Sequence, residues 1–126
     1  MASEHMRLSA GDLEKLVHAV DRDPAGAAFV SLGGAYLALG RVEEAAGVLE
    51  RGLGLGPDNP RARLMLGRAY AAQHEWQKAQ VHLSKLAQLD GNNGDGLKLL
   101  GEILMRRADY ERALPVLTRA LNLDPA

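Results

Sequence analysis

Three residues in the middle of the chain come close to a zinc-protease motif without completing it. His74 and Glu75 have the order in which such enzymes place a first zinc ligand and a general base on one helix. The second histidine must follow one helical turn later, where Lys78 stands instead. Because a lysine ammonium group has no lone pair to give to zinc, we expect no metal site here.

Residues 90–96 resemble part of a calcium-binding loop. Asp90 and Asn92 stand at the first and third positions of that pattern. Asp95 fills the position of the required glycine, and the closing glutamate is out of register. A plain turn is therefore the better interpretation.

Other catalytic signatures are also missing from the sequence. The chain has no cysteine, which excludes disulfides, thiolate zinc sites and a cysteine nucleophile. It has no Gly-x-Ser-x-Gly or Walker A pattern. His18 and His82 are isolated on amphipathic segments, where we predict surface or boundary positions. The sequence thus predicts a protein that is not an enzyme and needs no cofactor.

Composition narrows the possible partners. The 126 residues are 47% hydrophobic and 25% charged, as in folded domains, and the formal net charge is −1. Nucleic acid is an unfavoured partner because no basic field is present. No apolar run approaches the roughly 20 residues of a membrane helix, so membrane insertion is not expected. Residues 1–8 resemble an expression leader or a disordered tail. If they are a leader, a native targeting sequence could have been removed. The sequence favours a cytoplasmic location but does not establish it. The frequent use of Ala, Gly, Leu and Arg is typical of GC-rich bacteria.

The elements that carry these residues repeat along the chain. Leu66-Gly67 recurs 34 positions away in both directions, as Leu32-Gly33 and Leu100-Gly101. A period in this range indicates stacked helical repeats. Apolar residues at i, i+3, i+4 and i+7 predict helices, with a capping helix or half-repeat over residues 9–23 and full units over 26–59, 60–93 and 94–126.

Local signals set the expected helix ends. We predict that Asp23-Pro24 ends the first helix and that Gly40 is a left-handed C-cap. We also predict that Asp58 or Asn59 caps the helix that begins near Pro60. Several glycines in residues 52–56 predict a fraying last turn. Trp76 and Tyr110 occupy equivalent places, where we expect core contacts between paired helices, with a hot spot for a partner protein as the alternative. Arg63 stands at a place that is apolar in the other two units, and we expect its stem to pack while the guanidinium reaches water.

These units resemble tetratricopeptide repeats over residues 26–126. The matching positions are Leu32, Gly33, Tyr36 and Ala45 in the first unit, Leu66, Gly67, Tyr70 and Ala79 in the second, and Leu100, Gly101 and Ala113 in the third. In the third unit Leu104 takes the place of the tyrosine, which is a departure from the pattern. Pro57 and Pro125 match the closing proline, whereas Arg63, Leu86, Gly91 and Gly52 depart from the pattern. The resemblance implies an all-α solenoid of about seven helices, arranged as antiparallel pairs in a right-handed superhelix.

The same resemblance implies a concave groove that binds a peptide or helical segment of another protein. Carried over by position, the groove candidates are Val30, Gly34, Leu37, Leu64, Arg68, Ala71, Lys98, Glu102, Met105 and Arg106. A subgroup of the family clamps a C-terminal carboxylate with lysine and asparagine, at places held here by Val30 and Gly34, so that clamp is missing. Arg68, Lys98 and Arg106 could meet acidic groups on a ligand with apolar side chains, or they could simply solvate a helix face.

Three functions remain open from the sequence. The favoured one is a non-catalytic interaction scaffold. A second is a homo-oligomer that stacks through uncapped ends, because repeat arrays usually need polar terminal units. The third is a substrate-recognition part of a larger enzyme.

Overall fold

In a computed structural model that describes residues 9–124, the described chain is helical with no strand. The prediction of an all-α fold with about seven helices is confirmed. The helices are α1 (Ala10–Arg22), α2 (Ala28–Ala38), α3 (Val42–Leu55), α4 (Pro60–Ala72), α5 (Trp76–Leu89), α6 (Gly94–Arg106) and α7 (Tyr110–Leu123). The predicted leader over residues 1–8 and the closing Pro125 lie outside the described residues.

Side-chain oxygens begin several helices by accepting hydrogen bonds from otherwise unpaired backbone N–H groups. Ser9 Oγ accepts from the Asp12 N–H at 3.0 Å, and Asn59 Oδ1 accepts from the Ala62 N–H at 3.1 Å. Asn93 Oδ1 accepts from the Gly96 N–H at 2.9 Å. The predicted cap at Asn59 is confirmed, Ser9 caps the first helix, and the polar turn over residues 90–96 has its own cap in Asn93.

The turn inside each helix pair repeats every 34 residues in a left-handed conformation. Gly40 has φ +76°, and both His74 and Ala108 have φ +59°. The predicted left-handed cap at Gly40 is confirmed, but the two later copies use residues with a Cβ atom. Such residues are strained in this region by about 1–2 kcal/mol.

The fold divides into two compact units, which are distinct from the 34-residue repeats. In the first, residues 9–62, α1 packs on α2 and α2 packs on α3. As predicted, α1 ends at Arg22, immediately before Asp23 and Pro24. Close packing of α2 on α3 depends on Gly33, since a Cβ atom there would lie 2.5 Å from the Leu49 Cδ2 atom.

The predicted fraying of residues 52–56 is wrong. Helix α3 continues through Leu55, and the Gly56 N–H still donates to the Gly52 carbonyl at 3.2 Å. Gly52 is buried, and a Cβ atom at this position would overlap the Phe29 ring. The glycine therefore makes room for the aromatic side chain of α2, and this packing holds the helical turn.

Residues 63–124 are the described part of the second unit, in which α6 packs on both α5 and α7. Leu66, Leu83, Leu86 and Ile103 are almost fully buried and form its core. A Cβ atom at Gly67 would lie 2.5 Å from the Leu83 Cδ2 atom, and one at Gly101 would overlap Leu117. The Leu-Gly pair thus brings the two helices of a pair together in each unit.

Candidate functional site

Two neighbouring helices of the second unit carry most of the groove candidates. Arg68 of α4 and Asp95 of α6 are linked by an ion pair, with 3.6 Å between Arg68 Nη2 and Asp95 Oδ2. This contact shows that the two helices present adjacent faces at this point. The side chains are 53% and 78% exposed, so water solvates both charges.

The candidates on each of these helices follow a helical spacing. Leu64, Arg68 and Ala71 lie at i, i+4 and i+7 on α4, with Arg68 exposed between two half-buried apolar residues. On α6 the candidates with this spacing are Lys98, Glu102 and Met105, which are all exposed. Residues at these intervals share one side of a helix. The α4 row therefore has its cation between apolar residues, whereas the α6 row has one cation, one anion and a single apolar residue, Met105.

Arg106 differs from the other charged candidates in having an aromatic partner among the described residues. Its guanidinium carbon lies 5.0 Å from the centre of the Trp76 ring, within the range of a cation–π interaction. The His74 ring stacks on Trp76 with 5.2 Å between ring centres. Arg106 thus contributes to the contact between α5 and α6, and its charge is less available to a ligand than that of Lys98.

The first unit carries the candidates Val30, Gly34 and Leu37, all half-buried on α2. Val30 borders a shallow cavity of about 360 Å³. Its other lining residues are Ala25, Gly26, Ala27, Phe29, Ser31, Pro57, Asp58, Asn59 and Arg61. The lining is largely small and apolar, with Arg61 as its cation.

The repeated motif positions are all buried. They are Leu32, Gly33, Tyr36, Ala45, Leu66, Gly67, Tyr70, Ala79, Leu100, Gly101, Leu104 and Ala113. None of these side chains is available to a partner without unfolding, so their role in this structure is packing.

The prediction of a surface or boundary position for His82 is wrong, because this residue is buried and only 7% exposed. Its Nδ1 atom lies 3.0 Å from Arg63 Nη1, and its ring stacks on Tyr70 with 5.7 Å between ring centres. Arg63 is half-buried, and its guanidinium contacts this histidine. The sequence carries a signal for the burial of His82, because the residues 34 positions before and after it, Val48 and Val116, are apolar.

Tyr110 was predicted to make core contacts and is instead 59% exposed. Its equivalent, Trp76, is half-buried beneath Arg106. The difference arises because α6 follows α5 and covers its first turn, whereas α7 is the last helix among the described residues. His18 is exposed as predicted, with its Nε2 atom 3.7 Å from Glu14 Oε1.

The remaining chemical candidates have structural roles. Over residues 90–96 the Asn92 N–H donates to Asp90 Oδ1 at 3.2 Å, which makes this segment a turn. Within residues 9–124 no three His, Asp or Glu side chains gather in a way that could hold a metal ion. No described helix is both long and apolar enough to span a bilayer.

Solved structures with the same fold have low sequence identity to this chain. The crystal structure of MamA superposes with a TM-score of 0.83 at 19% identity, and the match covers 94% of this chain and 77% of that one. MamA from residue 41 onward from Desulfovibrio magneticus RS-1 superposes with a TM-score of 0.75 at 23% identity, over 91% and 68% of the two chains. YrrB, described as a TPR protein with an unusual peptide-binding site, gives 0.81 at 21% identity, over 90% and 59%. The chain thus spans 59% to 77% of the length of these proteins.

Sequence comparisons identify the family. No curated protein sequence matches the chain significantly. Three sequence models of the tetratricopeptide repeat match it, over residues 7–60, 36–103 and 97–126. The match over residues 36–103 alone spans more than half of the chain, and the buried Leu-Gly and Ala positions recur every 34 residues within it. The chain therefore belongs to the tetratricopeptide repeat family.

Proposed function

We propose that this chain is a non-catalytic interaction module that binds a peptide or helical segment of a partner protein across α4 and α6. Proteins of this family typically act as interaction scaffolds without catalysis, which supports the general role. The observation that carries the specific proposal is the pair of adjacent rows on α4 and α6, where Arg68 stands between apolar residues and Lys98 is exposed.

The charges on these rows favour an acidic ligand with apolar side chains. An exposed ion pair such as Arg68–Asp95 is worth about 1 kcal/mol or less, so a ligand carboxylate can replace Asp95 at little cost. Lys98 offers a second cation on α6. Leu64, Ala71 and Met105 provide apolar surface beside these cations.

Glu102 limits how acidic the ligand can be. It lies one helical turn after Lys98 on the same face, so a uniformly acidic segment would meet repulsion there. We therefore expect a ligand in which acidic and apolar residues alternate and a neutral or basic residue faces Glu102.

This chain lacks the carboxylate clamp by which a subgroup of the family binds peptides, so a different way of binding a peptide is expected. The carboxylate-clamp residues are replaced here by Val30 and Gly34, so recognition of a free C-terminus is not expected. YrrB shares the fold and is described as having an unusual peptide-binding site, which supports a peptide ligand for this chain also.

The experiment is a peptide selection followed by charge reversal. A random 12-residue peptide library displayed on phage is selected against the full chain, and the dissociation constant of the best peptide is measured by fluorescence anisotropy. We expect Arg68→Glu and Lys98→Glu each to weaken binding about tenfold or more, which corresponds to about 1.4 kcal/mol.

Lys85→Glu is the matched control, because Lys85 is an exposed lysine on α5, outside both rows. Its dissociation constant should stay within about twofold of the wild-type value. Equal affinities for all three variants and the wild type would refute the proposed site, and so would a selection that yields no binding peptide.

A further inference from the structure

A groove lies between α5 and α7 in the second unit, with α6 as its floor. It consists of two adjoining cavities of about 330 and 440 Å³, which share Ala87, Pro115 and Val116 as lining residues. The floor is formed by the buried residues Leu97, Leu100 and Leu104. The groove is therefore apolar along its length, and a helix bounds it on each side.

Arg119 of α7 lies at one end of the groove, where it lines the larger cavity. Its Nε atom donates to the Gly91 carbonyl, and its Nη2 atom donates to Asn92 Oδ1 at 3.2 Å. Both acceptors are neutral, and no carboxylate of residues 9–124 pairs with this guanidinium group. Since a guanidinium group carries five N–H donors, Arg119 keeps free donors for an anion at the end of the groove.

This end of the groove depends on a departure from the repeat pattern. Gly91 stands where the repeat over residues 26–59 has Pro57. A Cβ atom at Gly91 would lie 3.0 Å from Arg119 Nη2, which is closer than an ordinary contact. The glycine therefore lets the guanidinium group lie against the turn and donate to its backbone carbonyl.

The opposite end of the groove offers no comparable positive charge. Arg112 lines that end, but its Nε atom lies 2.6 Å from Asp109 Oδ2. Glu111 adds a carboxylate to the same end. An anionic group is therefore attracted to the Arg119 end and repelled from the Glu111 end.

We propose that this groove binds an unbranched aliphatic carboxylate, with its carboxylate on Arg119 and its chain along the apolar floor. The charge at Arg119 and the apolar lining together favour this class of ligand over a neutral or a cationic one. The lining residues differ from those of the α4 and α6 rows, so this site is independent of the proposed peptide binding.

The length of the groove sets the size of the ligand. Arg112 and Arg119 are separated along α7 by a helical rise of about 10 Å. Extended octanoate spans roughly the same length. Because the ligand is small and the groove is open to water, we expect a dissociation constant of about 0.1 to 1 mM.

The test is a titration of the full ¹⁵N-labelled chain with sodium octanoate, followed by chemical shifts. We expect saturable changes at Ala87, Gly91, Val116 and Arg119. Sodium acetate, which has the charge without the chain, should give no saturable change over the same concentrations.

Two substitutions test the two parts of the site separately. Arg119→Gln should weaken octanoate binding about tenfold, because it removes the charge, and should leave the binding of 1-octanol unchanged. Ala87→Phe tests the opposite wall, since its ring would fill the space shared by the two cavities while Arg119 stays in place. Octanoate binding should be lost in this variant.

Lys85→Gln is the matched control. Lys85 is an exposed cation that stands 34 residues before Arg119 and does not line the groove. Its substitution should leave the dissociation constant of octanoate within about twofold of the wild-type value. No saturable change with octanoate, an equal response to acetate, changes that spare Val116 and Arg119, or affinity that survives both Arg119→Gln and Ala87→Phe would each overturn the proposal.

Discussion

At Gly67 the backbone of α4 comes close to the Leu83 side chain of α5, and Gly33 stands in the same relation to Leu49. Gly47 is different, because a Cβ atom there would meet nothing within 4 Å. The same residue type therefore has opposite effects at the two kinds of site. At Gly67 the missing side chain allows close packing, whereas at Gly47 it only weakens the helix.

Gly67→Leu should lower the free energy of unfolding by about 3 kcal/mol or more, because the new side chain has no space beside Leu83. Gly47→Leu should raise it by about 0.5–1 kcal/mol, since leucine is the better helix former at an exposed site. Urea denaturation followed by circular dichroism measures both. Equal stability of the Gly67→Leu variant and the wild type would contradict the packing described for α4 and α5.

The left-handed turns give a second prediction at the scale of one residue. Ala108 has φ +59°, a region that glycine occupies without strain, as Gly40 does at +76°. Ala108→Gly should therefore raise the melting temperature, with a gain of about 0.5–1 kcal/mol. Gly40→Ala should lower it by a similar amount. A lower melting temperature for Ala108→Gly would show that this turn is not strained.

At the scale of the helices, the contact of α2 with α3 depends on the matched sizes of Phe29 and Gly52. Phe29 fills the space over Gly52. In the repeat over residues 94–126 the same two places hold leucine and alanine, at Leu97 and Ala120. The departure of Gly52 from the family pattern is therefore compensated by the large Phe29. A glycine that reads as a helix breaker in the sequence is thus a packing residue in the structure.

This matching predicts a compensating pair of substitutions. Gly52→Ala should destabilise the protein by about 1–3 kcal/mol, because its methyl group overlaps the Phe29 ring. Adding Phe29→Leu should recover at least half of that loss, since the smaller side chain leaves room for the methyl group. Denaturant titration of the two single variants and the double variant gives the coupling energy. Simple additivity of the two effects would argue against direct contact.

Helices and repeats were predictable because the signals for them are periodic. Leu66-Gly67 and its two copies specify where helices meet, and Ser9, Gly40 and Asn59 set ends through local chemistry. His82 and Tyr110 were misjudged for a different reason. Their burial depends on which helix packs against them, and the amphipathic pattern of their own helix does not contain that information.

For the molecule as a whole, the near-zero net charge confines electrostatics to local patches. With a formal charge of −1, long-range attraction of a partner is weak. Only the cations Arg68 and Lys98 should then make peptide binding depend on salt. We expect affinity for a selected acidic peptide to fall about tenfold or less between 50 and 500 mM NaCl.

In the variant with both Arg68→Glu and Lys98→Glu, that salt dependence should disappear or reverse in sign. Anisotropy titrations at four salt concentrations provide the comparison. An unchanged slope in the double variant would place the charged contacts of the ligand elsewhere on the surface. The Lys85→Glu variant should keep the wild-type slope.

The most direct test of the binding surface is chemical-shift mapping of the full ¹⁵N-labelled chain with a selected peptide. The account predicts that the largest changes fall on the α4 and α6 rows, at Arg68, Ala71, Lys98 and Glu102. Small changes are expected on the outer face of α5, at Val81 and Lys85. The largest changes at Val81, Lys85 or on α7, with none at Arg68 and Lys98, would contradict the proposed function.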